Sequence, residues 1–189
     1  MKFTFPIDFN PQPTLKDGEL TLRPLTSDDY EMLYKVASDP GIWVGHPAKE
    51  RYREPLFRSY FDKLLEIGGC LIALENKTCT PIGCSSYYTD TNASRRLSIG
   101  FTFLATDFWG GDTNRMFKRL MLNHAYKQSS EVWFHIAPSN IRSQKATQKL
   151  GAVFTHIDKL DLGTGKVNWQ CYCLTQEAWK LSDNPVISK

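Results

Sequence analysis

Residues 97–114 read LSIGFTFLATDFWGGDTN and contain the two local patterns on which the predicted fold depends. In the first part, apolar side chains at every second position alternate with Ser, Gly and Thr, which predicts a β-strand over residues 97–104. In the second part, Gly110 and Gly111 precede a helical pattern over residues 113–126. A glycine turn at a helix N-terminus presents free backbone N–H groups and a positive dipole end, which suits an anionic group such as pyrophosphate.

A second informative segment, NIRSQKATQKLGA, covers residues 140–152. It follows an apolar strand pattern at residues 131–136, and its own periodicity predicts a helix over residues 141–150. Ser139 or Asn140 is placed to cap that helix. Taken alone, Asn140 is most often a helix cap and nothing more, so its meaning depends on the rest of the segment.

The patterns around these segments complete the predicted fold. They indicate further strands at about residues 20–25, 70–74, 81–88, 153–162 and 167–174, and further helices at about 26–38 and 56–65. The order β-α-α-β-β-β-α-β-α-β-β predicts an α/β (α+β) fold with a mixed, mostly antiparallel sheet of six to seven strands and about four flanking helices. The strands at 97–104 and 131–136 are joined through a helix, so we expect them to pair in parallel by a right-handed crossover.

The composition fits one globular domain over residues 1–189, with a core at about 15–182, a short N-terminal arm and a frayed tail. Hydrophobic residues make up 41% of the chain and charged residues 23%, which excludes a disordered chain. The absence of an apolar run of signal-peptide or membrane-spanning length predicts a soluble, cytoplasmic protein without membrane contact. Five cysteines without metal-type spacing predict reduced thiols and no metal site.

The net charge of +3 is unevenly distributed along the chain. Residues 108–151 carry seven Lys or Arg against two acidic residues, whereas the remainder of the chain is net negative. A basic segment within a nearly neutral protein indicates an anionic ligand at one place. A nucleic-acid-binding module would need a broad basic surface with stacking aromatics, so we expect no nucleic-acid partner.

Together, the two segments resemble those of the GNAT superfamily of acetyltransferases, and most closely its branch of ribosomal-protein alanine N-terminal acetyltransferases. The resemblance runs from residue 20 to about residue 179, and its most specific part is the Asn-x-x-Ser…Lys-Leu-Gly-Ala helix at 140–152. It implies an N-acetyltransferase with acetyl-coenzyme A as co-substrate. The acetyl group would pass to an amine, either a protein N-terminus or a small molecule, by direct attack in a ternary complex.

The resemblance also implies how the coenzyme A thioester is bound. The pantetheine arm would add like a strand beside Phe103, Leu104 and Ala105. The pyrophosphate would be bound by backbone N–H groups of Trp109, Gly110, Gly111, Asp112, Thr113 and Asn114. The coenzyme's phosphates would be met by Arg115, Arg142 and Lys145. Asn140 and Ser143 would contact the pantetheine arm and thioester as the catalytic residues.

Four positions depart from the family's pattern. Trp109 stands where a basic residue or Gln is common, and Asp112 stands where a second glycine is common. A carboxylate at Asp112 opposes an anionic ligand unless it turns away to cap the following helix. Many relatives have a general-base Glu at the position of Ser98 and an acidic Tyr at the position of Thr147.

Acyl transfer to an amine requires a proton acceptor, a donor for the oxyanion and a donor for the departing thiolate. A backbone N–H near the end of strand 97–104 can serve the oxyanion. The related alanine acetyltransferases use a serine at the position of Ser143, which we therefore assign to the thiolate. The base stays open between Asp107, His135, Tyr87 and a water molecule.

The acceptor site is less defined than the coenzyme site. Its candidate lining residues are Trp43, His46, Tyr87, Tyr88 and Trp169. Protein N-termini, small amines and antibiotics all stay open as acceptors. Whether the protein forms a homodimer also stays open. Because the usual Glu and Tyr are absent, a catalytically weak protein that binds acyl-coenzyme A as a sensor is the main alternative.

Overall fold

The computed structural model of the chain describes residues 4–89, 96–162 and 165–183. Within these residues, eight strands form one sheet in the order β1-β2-β3-β4-β5-β6-β8-β7. The strands are β1 (Leu15–Lys16), β2 (Leu20–Pro24), β3 (Cys70–Glu75), β4 (Pro81–Thr89), β5 (Leu97–Leu104), β6 (Glu131–Ile136), β7 (Val153–Asp161) and β8 (Lys166–Thr175). All neighbouring pairs are antiparallel except β5 and β6, which are parallel as predicted.

Five α-helices flank the sheet in the described part of the chain: α1 (Tyr30–Ala37), α2 (Glu54–Ile67), α3 (Thr113–Ala125), α4 (Ile141–Lys149) and α5 (Gln176–Asp183). The predicted N-terminal signal before α1 is confirmed, because Thr26 and Asp29 form a reciprocal capping box. Gly68 ends α2 in the left-handed conformation, with φ +69°. None of the helices in the described residues is both long and apolar enough to cross a lipid bilayer.

The sheet separates two hydrophobic clusters. On one face, α3 and α5 bury Phe117, Met121 and Trp179 against the sheet. On the other face, α1 and α2 bury Leu33 and Phe57 together with the segment that follows α1. Because successive side chains of a strand point to opposite faces, each central strand contributes to both clusters.

Strands β5 and β6 separate soon after they meet. Their ladder has one register pair, Ser98 with Trp133, whereas β6 pairs with β8 along its whole length. On its other side, β5 carries a bulge, because Phe101 and Thr102 together oppose Ser85. A bulge bends its strand and increases the local twist, so it turns the C-terminal half of β5 away from β6.

Phe101 adopts φ +52° in this bulge, a left-handed conformation that costs a bulky residue free energy. The surrounding hydrogen bonds hold it there. The Tyr60 hydroxyl donates to the Phe101 carbonyl at 3.1 Å, and the Ser85 hydroxyl donates to the Gly100 carbonyl at 3.3 Å. The bulge is therefore fixed from α2 and from β4.

The fold class is the predicted one, with one strand and one helix more than expected. Strand β1 is two residues long, too short for any alternation to show in the sequence. The additional helix α5 follows β8 directly and buries Trp179. Residues 163–164, between the predicted strands at 153–162 and 167–174, and most of the predicted tail, residues 184–189, lie outside the described residues.

Candidate active site

A cavity of about 1130 Å³ opens where β5 and β6 separate. On one face of the sheet it is bounded by residues of α3, α4 and the turn before α3. On the other face it is bounded by the segment of residues 42–51 and by α2. The gap between the strands joins these two ends, so molecules entering from opposite faces can meet at the bulge.

The turn before α3 has the geometry that the sequence predicted. Gly110 adopts φ +79°, and a Cβ built on it would meet no atom within 4 Å, so the backbone conformation is what requires glycine here. The Met116 N–H donates to the Asp112 carbonyl at 2.8 Å, which is the first intrahelical bond of α3. The N–H groups that precede it at the helix start have no intrahelical acceptor and can donate to an anion.

The cavity brings together more than half of the predicted site residues: Phe103, Leu104, Trp109, Gly110, Asn114, Asn140, Arg142 and Ser143. The others do not lie on its wall: Ala105, Gly111, Asp112, Thr113, Arg115 and Lys145. Those in the turn and first helical residues can still contribute backbone donors at the rim.

Arg115 has partners away from the cavity. Its guanidinium donates to the Ser182 carbonyl, lies 3.3 Å from the Asp183 carboxylate and stands 5.3 Å from the centre of the Trp179 ring. These contacts tie α3 to α5. Arg115 would have to leave them to reach a phosphate of the coenzyme.

Asp112 takes the N-cap position of α3, but its side chain makes no capping hydrogen bond. Of the two possibilities that the sequence left for this carboxylate, capping of the helix is therefore not the one that the structure shows. The side chain is exposed to solvent instead, where water screens its charge.

Trp109 and Arg142 form a stacked pair at the mouth of the cavity. The Arg142 guanidinium lies 3.7 Å from the centre of the Trp109 ring and donates to the Ile42 carbonyl at 3.0 Å. Partial burial lowers the pKa of Arg142, which nevertheless keeps its charge. Trp109, which replaces the basic residue or Gln common in the family, thus supplies an aromatic ring on which the Arg142 guanidinium of α4 stacks.

The edge of β5 that faces the gap carries the Leu104 carbonyl. The Ala105 N–H donates to the Ile82 carbonyl of β4 at 2.8 Å. Polar groups of successive residues point to opposite edges of a strand, so those of Leu104 face the cavity. The Trp109 Nε1–H donates to this carbonyl at 3.0 Å, and a carbonyl can accept a second bond from a ligand amide.

Asn140 and Ser143 lie together at the start of α4. The Asn140 Oδ1 accepts from the Ser143 N–H at 3.2 Å, so Asn140 caps the helix while its amide nitrogen remains available as a donor. Both residues line the cavity, on the same side of the helix. The Ser143 hydroxyl is therefore placed where a ligand can reach it.

Of the three candidate bases, His135 lies on the cavity wall, whereas Tyr87 and Asp107 do not. The Tyr87 hydroxyl donates to the Met121 carbonyl at 2.7 Å inside the core, and Asp107 is exposed. His135 Nδ1 lies 2.7 Å from the Tyr88 hydroxyl. Burial lowers the pKa of His135 to about 4, and Arg96 and His156 add to this effect against an opposing one from Asp158. The ring is therefore neutral at pH 7.

Ser98 and Thr147, the positions at which many relatives carry Glu and Tyr, are both buried. The Ser98 hydroxyl donates to the Arg96 carbonyl at 3.1 Å within β5, so it points at the backbone and supplies no base. Thr147 lines the cavity from α4. A hydroxyl of its acidity does not act as an acid near pH 7.

Lys118 is a site residue that sequence reasoning missed. It projects from α3 to the bulge, is 6% exposed, and its Nζ donates to the Ser85 hydroxyl at 2.9 Å and to the Thr102 hydroxyl at 2.7 Å. Burial lowers the pKa of Lys118 to about 7. The sequence does indicate that Lys118 is buried, because residue 118 lies on the same face of α3 as the apolar residues at 121, 122 and 125.

The cavity wall includes four of the five side chains that we expected to line an acceptor site, and Tyr87 is the exception. Trp43, His46, Tyr88 and Trp169 all contact the cavity. His46 Nδ1 accepts from the Ala48 N–H at 3.0 Å. Burial lowers the pKa of His46 to about 3, and the nearby cations Arg51 and Arg142 add to this effect. The surroundings of His46 are therefore positively charged.

The pattern of the family described as the acetyltransferase (GNAT) domain matches residues 19–153. The chain therefore belongs to the GNAT acetyltransferases, a family that uses acetyl-coenzyme A as co-substrate. None of the curated protein sequences matches the chain significantly. Within the residues that the structure describes, no three His, Cys, Asp or Glu side chains are grouped to bind a metal ion.

Solved structures show the same fold at low sequence identity. A GCN5-related N-acetyltransferase from Brucella melitensis has a TM-score of 0.72 at 13% identity, covering 91% of this chain and 83% of its own. A GNAT-family acetyltransferase from Bacillus anthracis has 0.64 at 14%, with 87% and 99% coverage. Mycobacterium smegmatis RimJ in complex with CoA-disulfide has 0.62 at 16%, with 87% and 88% coverage.

Proposed function

We propose that the protein is an N-acetyltransferase that transfers the acetyl group of acetyl-coenzyme A to a primary amine in a ternary complex. The observation that carries this proposal is the gap between β5 and β6, which joins a turn with free N–H donors to an aromatic-lined part of the cavity on the opposite face. The alternative of an acyl-coenzyme A sensor has no comparable observation in its favour.

The coenzyme fits the end formed by α3 and α4. The pyrophosphate accepts from N–H groups of the turn at Gly110 and from the first turn of α3, with Asn114 and Arg142 at the mouth. The pantetheine amide donates to the Leu104 carbonyl at the free edge of β5, as an added strand would. Both interactions use backbone groups that the fold leaves without a strand or helix partner.

In the reaction, the amine nitrogen attacks the thioester carbon, the new C–N bond forms, and the C–S bond breaks. The carbonyl oxygen becomes anionic for a moment and accepts from a backbone N–H of β5. The Ser143 hydroxyl donates to the departing thiolate. A free thiol titrates near ~8.5, so hydrogen bonding can stabilise the thiolate without complete proton transfer.

The proton of the amine leaves through His135, directly or through a water molecule. The neutral ring is able to accept a proton, and the Tyr88 hydroxyl, which reaches it from β4 across β5, fixes its orientation. Its pKa of about 4 makes it a weak base, so the amine must lose much of its own basicity on binding. The positive environment around His46 provides that effect, because nearby cations disfavour an ammonium ion.

The proposal also covers the extent of the domain, the location of the protein and its branch of the family. Residues 1–189 act as one acetyltransferase domain, and the protein works in the cytoplasm. Its assignment to the branch of the ribosomal-protein alanine acetyltransferases rests on the resemblance of segment 140–152, and the similarity to RimJ supports the fold of that branch.

The deciding experiment incubates the purified chain with acetyl-coenzyme A and a pool of amino acids, polyamines and short peptides. Mass spectrometry of the products should detect acetylated amines, together with stoichiometric release of coenzyme A. A protein that binds acetyl-coenzyme A saturably and acetylates no member of a broad pool would instead be a sensor. The Ser143→Ala variant serves as the matched low-activity control.

A further inference from the structure

Building on the proposed function, we infer that the acceptor amine also carries a carboxylate and that Arg51 binds this carboxylate at the inner end of the acceptor site. The acceptors would then be free amino acids or molecules with the same two groups. Arg51 would act as a residue that determines specificity.

Arg51 lies on the cavity wall and is half-buried. Its guanidinium stacks 3.8 Å from the centre of the Tyr60 ring and 5.2 Å from the centre of the Trp43 ring. Stacking uses the flat face of the guanidinium and leaves the N–H groups of its edge free. These N–H groups form the fork that matches the two oxygens of a carboxylate.

No carboxylate within the described part of the chain forms an ion pair with Arg51. The nearest acid in sequence, Glu50, also lines the cavity, but its Oε2 lies 2.7 Å from the Arg53 guanidinium. Burial of Arg51 lowers its pKa, although a guanidinium does not release its proton at pH 7. A buried cation without a counter-ion is costly, and a bound anion removes that cost.

The location of Arg51 assigns it to the acceptor and not to the coenzyme. Trp43 and Tyr60, the rings that hold it, belong to the cluster on the α2 face of the sheet. Phe108 of the turn and the buried residues Phe117 and Met121 of α3 belong to the cluster on the other face of the sheet. A second lining cation, Lys49, adds to the positive potential at Arg51's end.

The link between Arg51 and the reacting centre is one tyrosine ring. Tyr60 carries the guanidinium on its face, while its hydroxyl donates to the carbonyl of Phe101 in the bulge. A carboxylate bound by Arg51 is therefore held a short distance from the gap where the thioester enters. This spacing suits a compact molecule whose amine and carboxylate are near each other.

The positive charge of Arg51 has a second effect on the bound amine. It already contributes to the lowered pKa of His46, and it disfavours an ammonium ion in the same way. One group would thus orient the acceptor through its carboxylate and help its nitrogen to become a neutral nucleophile.

The test compares amino acids with their carboxamides, which differ only in the negative charge. Native protein should acetylate the acids with a kcat/KM about 100-fold above that of the amides, as expected for a hydrogen-bonded ion pair. In Arg51→Met this ratio should fall to within about threefold of one, mainly through loss on the acids. The matched control is Arg58→Met, because Arg58 is exposed and pairs with Glu54, and neither of these residues lines the cavity.

Two companion measurements keep the test decisive. The affinity of Arg51→Met for coenzyme A should match that of native protein within error, and its thermal midpoint should not be lower than that of native protein. Equal losses for acids and amides, or weaker coenzyme binding, would show that Arg51 supports the fold or contacts the coenzyme, and would overturn the inference. A preference for phosphorylated amines over amino acids would overturn the carboxylate assignment.

A binding measurement separates this inference from the proposed function. Calorimetry with N-acetyl amino acids and N-acetyl amino acid amides, each added to the coenzyme A complex, requires no turnover. Tighter binding of the acids, lost in Arg51→Met, supports the carboxylate site even where no amine is acetylated. Equal binding of acids and amides would contradict the carboxylate site. In that case, acetylation of other amines would still support the proposed function.

Discussion

The two ends of the cavity are built by different means. The coenzyme end consists largely of backbone: a glycine turn, the N-terminus of α3 and the free edge of β5. The acceptor end consists of side chains from the segment at 42–51, from α2 and from β4. Backbone donors fixed by a turn recognise the constant part of a ligand, whereas side chains can change without altering the fold.

This difference implies that substitutions at the two ends should affect different measurements. Changes at the coenzyme end should alter binding of every acyl-coenzyme A equally, whatever the acceptor. Changes at the acceptor end should alter the choice of amine and leave coenzyme affinity intact. The substitutions below test that division, beginning where the two ends meet.

Ser143→Ala should reduce kcat by ~10- to 100-fold, because a hydroxyl donor to sulfur strengthens as charge develops in the transition state. The dissociation constant of acetyl-coenzyme A should change by less than about threefold. Steady-state kinetics beside calorimetry makes the comparison. A loss confined to binding would recast Ser143 as a contact of the pantetheine arm, and an unchanged kcat would assign the thiolate to water.

Gly110→Val should weaken binding of acetyl-coenzyme A by ~10-fold or more, because a β-branched residue resists the φ of +79° that directs the turn's N–H groups. Gly111→Ala is the matched control, since a Cβ at Gly111 meets no atom within 4 Å and its φ is not in the left-handed region. Equal calorimetric affinities for native protein and Gly110→Val would remove this turn from the coenzyme site.

Lys118→Met should change how stability depends on pH. The Lys118 pKa is about 7 in the folded protein, against 10.5 for an unperturbed lysine, so the unfolded state binds more protons between these values. Stability of the native protein therefore rises with pH across this window, and the penalty is complete below pH 7. Relative to Lys118→Met, the native free energy of unfolding should increase by about 2 kcal/mol from pH 7 to pH 9.

Urea unfolding at pH 6, 7, 8 and 9 measures this difference. The Ser85 and Thr102 hydroxyls lie 2.6 Å apart and can bond each other when the lysine is absent, which limits the damage to the bulge. Lys127→Met, at an exposed site after α3, should differ from the native protein by a constant amount. A constant difference for Lys118→Met as well would show that the buried amine keeps an ordinary proton affinity.

Asp112→Asn should have the smallest effect. Because the side chain is exposed and makes no capping bond, acetyl-coenzyme A affinity should change by less than about twofold at physiological ionic strength. Calorimetry at low and high salt checks this. A several-fold gain in affinity that disappears at high salt would show that the carboxylate repels the coenzyme's phosphates.

Strands β2 to β8 and the parallel pairing of β5 with β6 could be predicted from the sequence because each element carries its own periodicity. The same applies to Gly110 and Asn140, whose roles depend on local backbone geometry. Lys118, Arg51 and Tyr60 could not be predicted in this way. They become neighbours of the bulge only when the helices and loops pack against the sheet. Local motifs and periodicity in the sequence do not predict such contacts between distant residues.

The gap between β5 and β6 creates two free strand edges in the middle of a sheet. Edges on the outside of a protein invite strands from other molecules, and proteins normally block them. Here the edges face the inside of the cavity between α3 and α4 and not the outer surface of the protein. The enzyme can thus keep a permanent docking edge for its coenzyme without the aggregation hazard that an open sheet edge carries.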